Sequence, residues 1–239
     1  MQKFFILLLI VVTGFSSCRY RNHRHVSGNG ALSTEQRSVT GFTGVETHGS
    51  IDIVASQGNF GVKVEAEQNL LQYIETVVEN GHLMVRFKHD MSFTDFRGVK
   101  VYVSAPEWNA FETHGNGDIQ SQGKISGKEK MDINIAGNGD VSLAVDCPQV
   151  NVEIHGNGDL EISGETRDLI SKTNGSGDLK AANLKAENVK TSIHGSGDNE
   201  VFASVSLEAE ISGSGDVHYR GEPKVSMSVH GSGEVSKMD

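Results

Sequence analysis

Seven acidic residues recur at almost fixed steps through the second half of this chain: Asp118, Asp140, Asp159, Asp178, Asp198, Asp216 and Glu234. Each closes a Gly-x-Gly-Asp motif, with Glu in the last copy, and the steps between them are 22, 19, 19, 20, 18 and 18 residues. Carboxylates stacked at one coil spacing repel one another, and Ca²⁺, which takes several oxygen ligands, would relieve them. The same residues also serve as turn formers. Asp accepts backbone hydrogen bonds in an Asx-type turn, while the glycine pairs Gly115/Gly117, Gly137/Gly139, Gly156/Gly158, Gly175/Gly177, Gly195/Gly197, Gly213/Gly215 and Gly231/Gly233 supply positive φ. The second half of the calcium-binding nonapeptide repeat is missing. Turn chemistry is therefore the primary reading, with calcium the one cofactor kept as an alternative and no metal ligand set assigned.

Two further columns run beside the acids. The residue between the glycines sorts into Asn116, Asn138, Asn157, then Ser176, Ser196, Ser214, Ser232, as expected if like stacks on like in hydrogen-bonded ladders. The residue before the first Gly reads His114, Ala136, His155, Asn174, His194, Ser212, His230, with His48 in a degenerate upstream copy. Histidines on every second coil lie about 9.6 Å apart, too far to share a zinc ion whose Zn–N bonds are about 2.1 Å. Protonation below about pH 6.5 would still place positive charge beside the acids. No Gly-x-Ser-x-Gly elbow, His-Glu-x-x-His or phosphate loop occurs, so no catalytic residue is assigned and the chain reads as a non-enzyme. Polysaccharide cleavage is the natural enzymatic alternative by analogy with other β-helices, but no Arg or Lys recurs beside the acids and Trp108 is the one tryptophan.

A repeat of about twenty residues cannot bury its apolar face alone, so each coil must stack on the next. Apolar and polar residues alternate with the strand period of two, as in Val150, Val152, Ile154 and in Met131, Ile133, Ile135. Two or three short strands per coil are expected, and seven coils would make a rod of roughly 34 Å. The fold class is all-β, a right-handed β-helix-like solenoid with coils of about 18–22 residues and an irregular N-terminal sheet and hairpin portion. The position two before the first Gly is β-branched throughout (Thr113, Ile135, Ile154, Thr173, Ile193, Ile211, Val229). The position after the acid is apolar except at Asn199, which must find a buried partner or mark a bulge.

Residues 38–111 are less regular. Val45–Asp52 echoes Phe111–Asp118, and the 66 residues from acid to acid would hold about three coils. Asn69–Ile74 reads as a helical turn, Asn80-Gly81 as a hairpin turn, Met91–Gly98 as a loop and Val99–Val103 as a strand ended by Pro106. This half starts and caps the solenoid. At the other end the chain stops at Asp239, five residues after the last acid, which leaves an edge through Val225 to Val235. Another protomer, a partner chain or a fold-back of the N-terminal half should cover it.

At the N-terminus Lys3 precedes an apolar run, Phe4–Val12, too short to span a bilayer and suited to an export signal over residues 1–17. Cys18 follows Ser16-Ser17 in a pattern that resembles the lipobox of bacterial lipoproteins, with Phe15 where Leu is usual. Cys18 is the expected lipidation site, and residues 18–37 follow as a tether. Arg19, Arg21 and Arg24 would contribute about 1 kcal/mol each against anionic headgroups or form part of a solvated linker. His23 and His25 there make a poor metal site. Without Lys3 the chain carries 20 basic and 31 acidic residues, a net charge of −11 that argues against nucleic-acid binding. With Cys18 lipidated, Cys147 has no thiol partner for an intramolecular disulfide.

Gly41-Phe42, Ile51–Val54, Val62–Ala66, Asn69–Leu71, Val99–Val103 and Pro106, followed by the Gly-x-Gly-Asp copies, resemble the bacterial "putative auto-transporter adhesin, head GIN domain" family over about residues 38–237. The resemblance implies a single β-helix-like domain over 38–239, irregular to 111 and regular from 112, in an envelope lipoprotein of Bacteroidota. It implies no catalytic residues. The role expected is a non-enzymatic binding or structural module of the cell envelope, lipid-anchored in the outer membrane and facing the periplasm rather than the exterior. Its partners would be the membrane through the lipid, an envelope protein or glycan, and a further copy at the open coil. A calcium-dependent binding module is the alternative.

Overall fold

The computed structural model describes residues 24–89 and 91–238. The proposed signal and Cys18 lie outside them. The first nine strands are β1 (Arg24–Ser27), β2 (Leu32–Arg37), β3 (Gly44–Gly49), β4 (Ile51–Gln57), β5 (Gly61–Glu67), β6 (Ile74–Glu79), β7 (His82–Phe87), β8 (Met91–Thr94) and β9 (Val99–Ala105). The regular region holds β10 (Ala110–Gly115), β11 (Ile119–Ser126), β12 (Lys130–Gly137), β13 (Val141–Asp146), β14 (Gln149–Gly156), β15 (Leu160–Gly175), β16 (Leu179–Gly195), β17 (Asn199–Gly213), β18 (Val217–Arg220), β19 (Lys224–Gly231) and β20 (Val235–Lys237). The sole helical element among the described residues is a 3-10 turn, Leu71–Tyr73.

Each coil has two faces joined by two corners. On the first face β3, β10, β12 and β14 stack in parallel, followed by the second halves of β15, β16 and β17 and then by β19. β4, β11, β13, the first halves of β15 to β17, β18 and β20 stack as the second face. From β15 on, strand geometry continues around the corner between coils, so one strand supplies the second face of one coil and the first face of the next. A β-solenoid results, with two faces per coil, the lower of the two or three strands expected.

The Gly-x-Gly-Asp corner never slips. Gly49, Gly115, Gly137, Gly156, Gly175, Gly195, Gly213 and Gly231 pair rung for rung. Coil lengths vary because slack is taken up elsewhere. Register shifts fall between Gln120 and Lys124, Glu161 and Ser163, and Ala181 and Asn188, all on the second face or the opposite corner.

Within the coils the inward columns form one core. Ile135, Ile154, Ile193 and Ile211 are fully buried, as are Leu160, Leu179 and Val217 on the facing side, each side chain contributing about 1.5–3 kcal/mol by leaving water. The threonines of the same column are satisfied locally: Thr47 Oγ1 donates to the Ile51 carbonyl at 2.9 Å and Thr113 Oγ1 to the Gly117 carbonyl at 2.7 Å. Asn199 takes the first of the two outcomes expected for it. Its Oδ1 accepts from Thr173 Oγ1 at 3.0 Å, its Nδ2 donates to Thr191 Oγ1 at 2.7 Å, and Thr191 meets Ser171 Oγ at 2.7 Å. A polar knot spanning two successive coils replaces an apolar contact.

The N-terminal half corrects several expectations. β3 and β4 lie directly beside β10 and β11, so the residues between Asp52 and Asp118 form not three coils but one outer rung, with β7 parallel to β3 and β9 parallel to β4. They leave as an excursion in which β5 pairs antiparallel with β9 and β2, and β6 with β7 through Asn80-Gly81, both at positive φ. The segment Met91–Thr94, expected in a loop, is strand β8, paired in parallel with β1. The tether expected over 18–37 therefore carries two strands in its described part. Residues between them are clasped, with the Gly30 N–H on Glu67 Oε1 at 2.7 Å and Asn69 Nδ2 on the Ser27 carbonyl at 2.8 Å. Trp108, Phe111 and Phe42 close the core at this end, with Trp108 Nε1 donating to the Ser56 carbonyl at 3.0 Å.

Replacing Asn199 by Ala leaves Thr173 Oγ1 without its acceptor and should lower the unfolding free energy by about 1–3 kcal/mol in urea titration. Changing Thr173 and Thr191 to Val and Ser171 to Ala together with Asn199→Leu removes the whole knot and should recover most of that loss. A quadruple variant no more stable than Asn199→Ala would refute this account of the knot.

Candidate functional site

The acid column is a hydrogen-bonded ladder between coils. The Asp140 N–H donates to Asp118 Oδ1 at 2.9 Å, and the same bond repeats from Asp159 to Asp140, Asp178 to Asp159 and Asp198 to Asp178, each at 2.9 Å. It continues from Asp216 to Asp198 at 2.8 Å and from Glu234 to Asp216 at 2.7 Å. Asp52, the degenerate upstream acid, is the first rung, accepting from the Asp118 N–H at 3.3 Å. The carboxylates thus bridge to the neighbouring coil's backbone instead of capping a turn within their own coil. One oxygen of each acid from Asp52 to Asp216 is committed in this way. Among the described residues no group of three or more His, Cys, Asp or Glu side chains is disposed to hold a metal ion.

Both glycines of each motif are crowded by the neighbouring coil, since a Cβ at Gly137 would lie 2.2 Å from the Gly115 carbonyl oxygen, but only the first needs a positive φ. Gly137 has φ of +140°, a conformation suited to Gly, as the turn reading requires, and the other first glycines, Gly115, Gly156, Gly175, Gly195, Gly213 and Gly231, share the positive sign. The second glycines do not. Gly117, Gly139, Gly158, Gly177, Gly197, Gly215 and Gly233 all lie outside the positive-φ set, which corrects the expectation that both members of each pair supply it. Their reason for being Gly is steric. A Cβ at Gly139 would lie 2.2 Å from the Gly117 carbonyl oxygen, and at Gly197, Gly215 and Gly233 it would lie 2.1 Å from the carbonyl oxygens of Gly177, Gly197 and Gly215. The neighbouring coil's backbone occupies the space a side chain would need. The Asn138 N–H meanwhile donates to the Gly115 carbonyl at 2.7 Å. Of the column between the glycines, only the asparagines form the expected ladder, Asn138 Nδ2 to Asn116 Oδ1 and Asn157 Nδ2 to Asn138 Oδ1, both at 2.9 Å. No hydrogen bond joins the side chains of Ser176, Ser196, Ser214 and Ser232, which are too short to span a coil.

His48 and His114 sit on adjacent coils because the excursion intervenes in sequence and not in space. Their rings stack with centroids 4.9 Å apart, correcting the expectation of histidines only on alternate coils. His48 Nε2 lies 2.6 Å from Glu46 Oε1 and His114 Nε2 lies 3.5 Å from the same oxygen, while His82 Nδ1 reaches Glu112 Oε1 at 3.2 Å. The sequence signal for this cluster was Glu-x-His, present as Glu46-Thr47-His48, Glu112-Thr113-His114 and Glu153-Ile154-His155. Residues two apart on a strand share a face. Beside this cluster the first face carries a shallow groove of about 560 Å³ lined by Glu112, Lys130, Asp132, Asn134, Glu153 and Lys172. Asn151 Nδ2 donates to Asp132 Oδ1 at 2.9 Å at its border, and Asn134 Oδ1 is buried without a partner among the described residues.

One acid in the ladder has a cationic partner. Partial burial pushes the Asp159 carboxyl up, but the Asp178 N–H and the Lys180 ammonium, 3.0 Å from Oδ2, outweigh it and hold the group below the ordinary carboxylate range. Cys147 is buried and unpaired, and burial is the main reason its thiol is held above the ordinary range. None of these groups forms an acid–base pair around a shared cavity.

Parallel coils, a strict glycine corner and an inter-coil acid ladder define a β-solenoid. The chain belongs to the family described as "putative auto-transporter adhesin, head GIN domain", whose model matches residues 41–223. Solved structures agree. A protein described as a putative adhesin from Bacteroides fragilis NCTC 9343 is 24% identical with a TM-score of 0.83, covering 89% of this chain and 100% of its own. A putative lipid binding protein from Parabacteroides distasonis ATCC 8503 is 26% identical at TM-score 0.74, covering 90% and 100%. A putative adhesin from the same organism is 23% identical at 0.73, again covering 90% and 100%. No curated protein matches the chain.

Because the folded pKa of Asp159 is lowered, its stabilising contribution is fully present above the ordinary carboxylate pKa and is lost as pH falls through the depressed folded value. Asp159→Asn should flatten the fall in melting temperature between about pH 5 and the most acidic pH tolerated, with Lys180→Met acting in the same direction. A wild-type acid slope in both variants would refute the assignment. With its ladder oxygens held by backbone N–H groups, the chain should melt at the same temperature in Ca²⁺ and in EDTA. A calcium-dependent rise would instead make the acids a metal site, since a ligand bound only by the folded state stabilises it.

Proposed function

We propose that this protein is a non-enzymatic, lipid-anchored module of the cell envelope that presents a rigid polar face to a protein or glycan partner. The observation that carries this reading is the first face itself. Carboxylates, amides, lysines and histidines are fixed at coil spacing on strands whose registry cannot slip, with a groove and no convergent catalytic set. The adhesin family and the adhesin descriptions of similar structures support binding as the role. Cys18 supports attachment through lipid, and no helix among the described residues is long and apolar enough to cross a membrane. Outer-membrane placement with the domain on the periplasmic side is the location proposed, because the residues after Cys18 are basic where surface lipoproteins of Bacteroidota carry acidic ones.

Two measurements test the proposal. Cells fed a radiolabelled fatty acid should label the wild-type chain and leave Cys18→Ala unlabelled; equal labelling would remove the anchor from the reading. On an array of envelope glycans and peptides, the full chain should bind a restricted set. Glu153→Lys with Lys172→Glu should weaken that binding about tenfold or more while melting stays unchanged, as expected where the partner's polar groups lose their pairs. Binding unaffected by the exchange would place the partner elsewhere.

A further inference from the structure

At one end of the solenoid the core is uncovered. β19 pairs with β17 on one side and has no described neighbour on the other, and β20 likewise pairs only with β18. Val225, Met227 and Val229 occupy the inward positions of β19, in register with Leu207, Ala209 and Ile211. Those three are at most 1% exposed, whereas Val225, Met227 and Val229 are 36%, 63% and 39% exposed. The N-terminal half does not fold back over this end, because it packs against β10 and β11 at the other.

The far end shows how this fold blunts an edge. There the terminal strands β2 and β6 run antiparallel to their neighbours and carry ion pairs, Arg37 with Glu35 and Arg86 with both Glu75 and Glu79. Charge on an edge strand discourages pairing with another chain. β20 follows the same rule: it is three residues long and places Lys237 in register with Tyr219, tied to Glu222. β19 carries such devices only at its start, where Lys224 follows Pro223. It is eight residues long, pairs with β17 without a register shift, and carries no charge or proline between Val225 and Val229.

The order of residues on this edge selects the occupant. Val225-Ser226-Met227-Ser228-Val229 reads identically in both directions. A twofold axis requires one patch to complement itself, and an antiparallel strand pair is the strand arrangement that satisfies it. We infer that β19 is a dimerisation edge, on which a second copy of this chain pairs antiparallel about a twofold axis through Met227. In that register Met227 faces Met227 of the second copy and each Val225 faces a Val229, so the apolar column runs unbroken from one solenoid into the other. Ser226 faces Ser228 on the outer side, and no two carboxylates come opposite one another along the strand. A head-to-tail arrangement would instead set β19 against the charged edges of β2 or β6.

The test uses the full chain in mild detergent. Light scattering should give a protein mass twice that of one chain, and Met227→Lys should halve it while the far-ultraviolet β signal is unchanged. Under mild oxidation Met227→Cys should form a disulfide-linked dimer on a non-reducing gel. Val225→Cys and Val229→Cys should crosslink poorly alone and well when mixed, and Val77→Cys on β6 should form no disulfide-linked dimer on that gel. A monomer mass at every concentration, a dimer mass unmoved by Met227→Lys, or crosslinking at residue 77 as efficient as at 227 would each overturn the inference. A mass increase requiring a different protein would assign the edge to a hetero-partner and would also overturn it.

Discussion

The structure depends on how closely one coil's backbone approaches the next at the glycine corner. A Cβ at the second glycine would lie about 2.2 Å from the carbonyl of the coil below, as at Gly117, Gly139, Gly158 and Gly177, well inside any tolerable contact. Excluding side chains there lets two N–H groups of most turns share one carbonyl, as those of Asn157 and Gly158 share that of Gly137. That contact fixes the rung spacing, and the spacing is what permits the acid oxygen to reach the next acid's N–H. The ladder and the isoleucine columns are thus consequences of one steric condition repeated along the chain.

Much of this was legible in the residues because repetition averages away local ambiguity. A single Gly-Asn-Gly-Asp would be any turn, whereas seven copies at near-constant period specify a coil and its inward positions. Even Asn199 stood out, since a lone polar residue in an apolar column demands partners. The N-terminal half was harder for the same reason. Asp52 and Asp118 are neighbours, but the residues between them mix antiparallel pairs with a single parallel rung, which leaves no period. Nothing in Met91–Thr94 marks a strand until β1 is laid beside it. The direction of the acid's hydrogen bond was also hidden, because Asx capping and inter-coil bridging ask for the same residue. The split between the glycines was hidden likewise, since a positive φ and a crowded Cβ both select Gly.

The chemistry follows from what the ladders leave unused. Core hydroxyls are paired with one another or with backbone carbonyls. On the outer first face the Glu-x-His pairs and the amide–lysine groove stand in rows. Rows of fixed groups suit an extended ligand with its own repeat better than a small reacting molecule, which needs convergent groups around one point.

The two corners of each coil differ in one further respect. All the slack in coil length falls away from the glycines, at bulges such as Gln120–Lys124 and the stretch 181–188. Extra residues can therefore be spliced in at the loose corner without disturbing any rung of the tight one. The excursion between β4 and β10 is an insertion on that plan, since the chain from Gln57 to Ala110 leaves and returns while Asp52 and Asp118 remain adjacent. The fold behaves as a ratcheted spine with a free margin, and diversification of surface loops across descendants of such a chain has a ready place to occur.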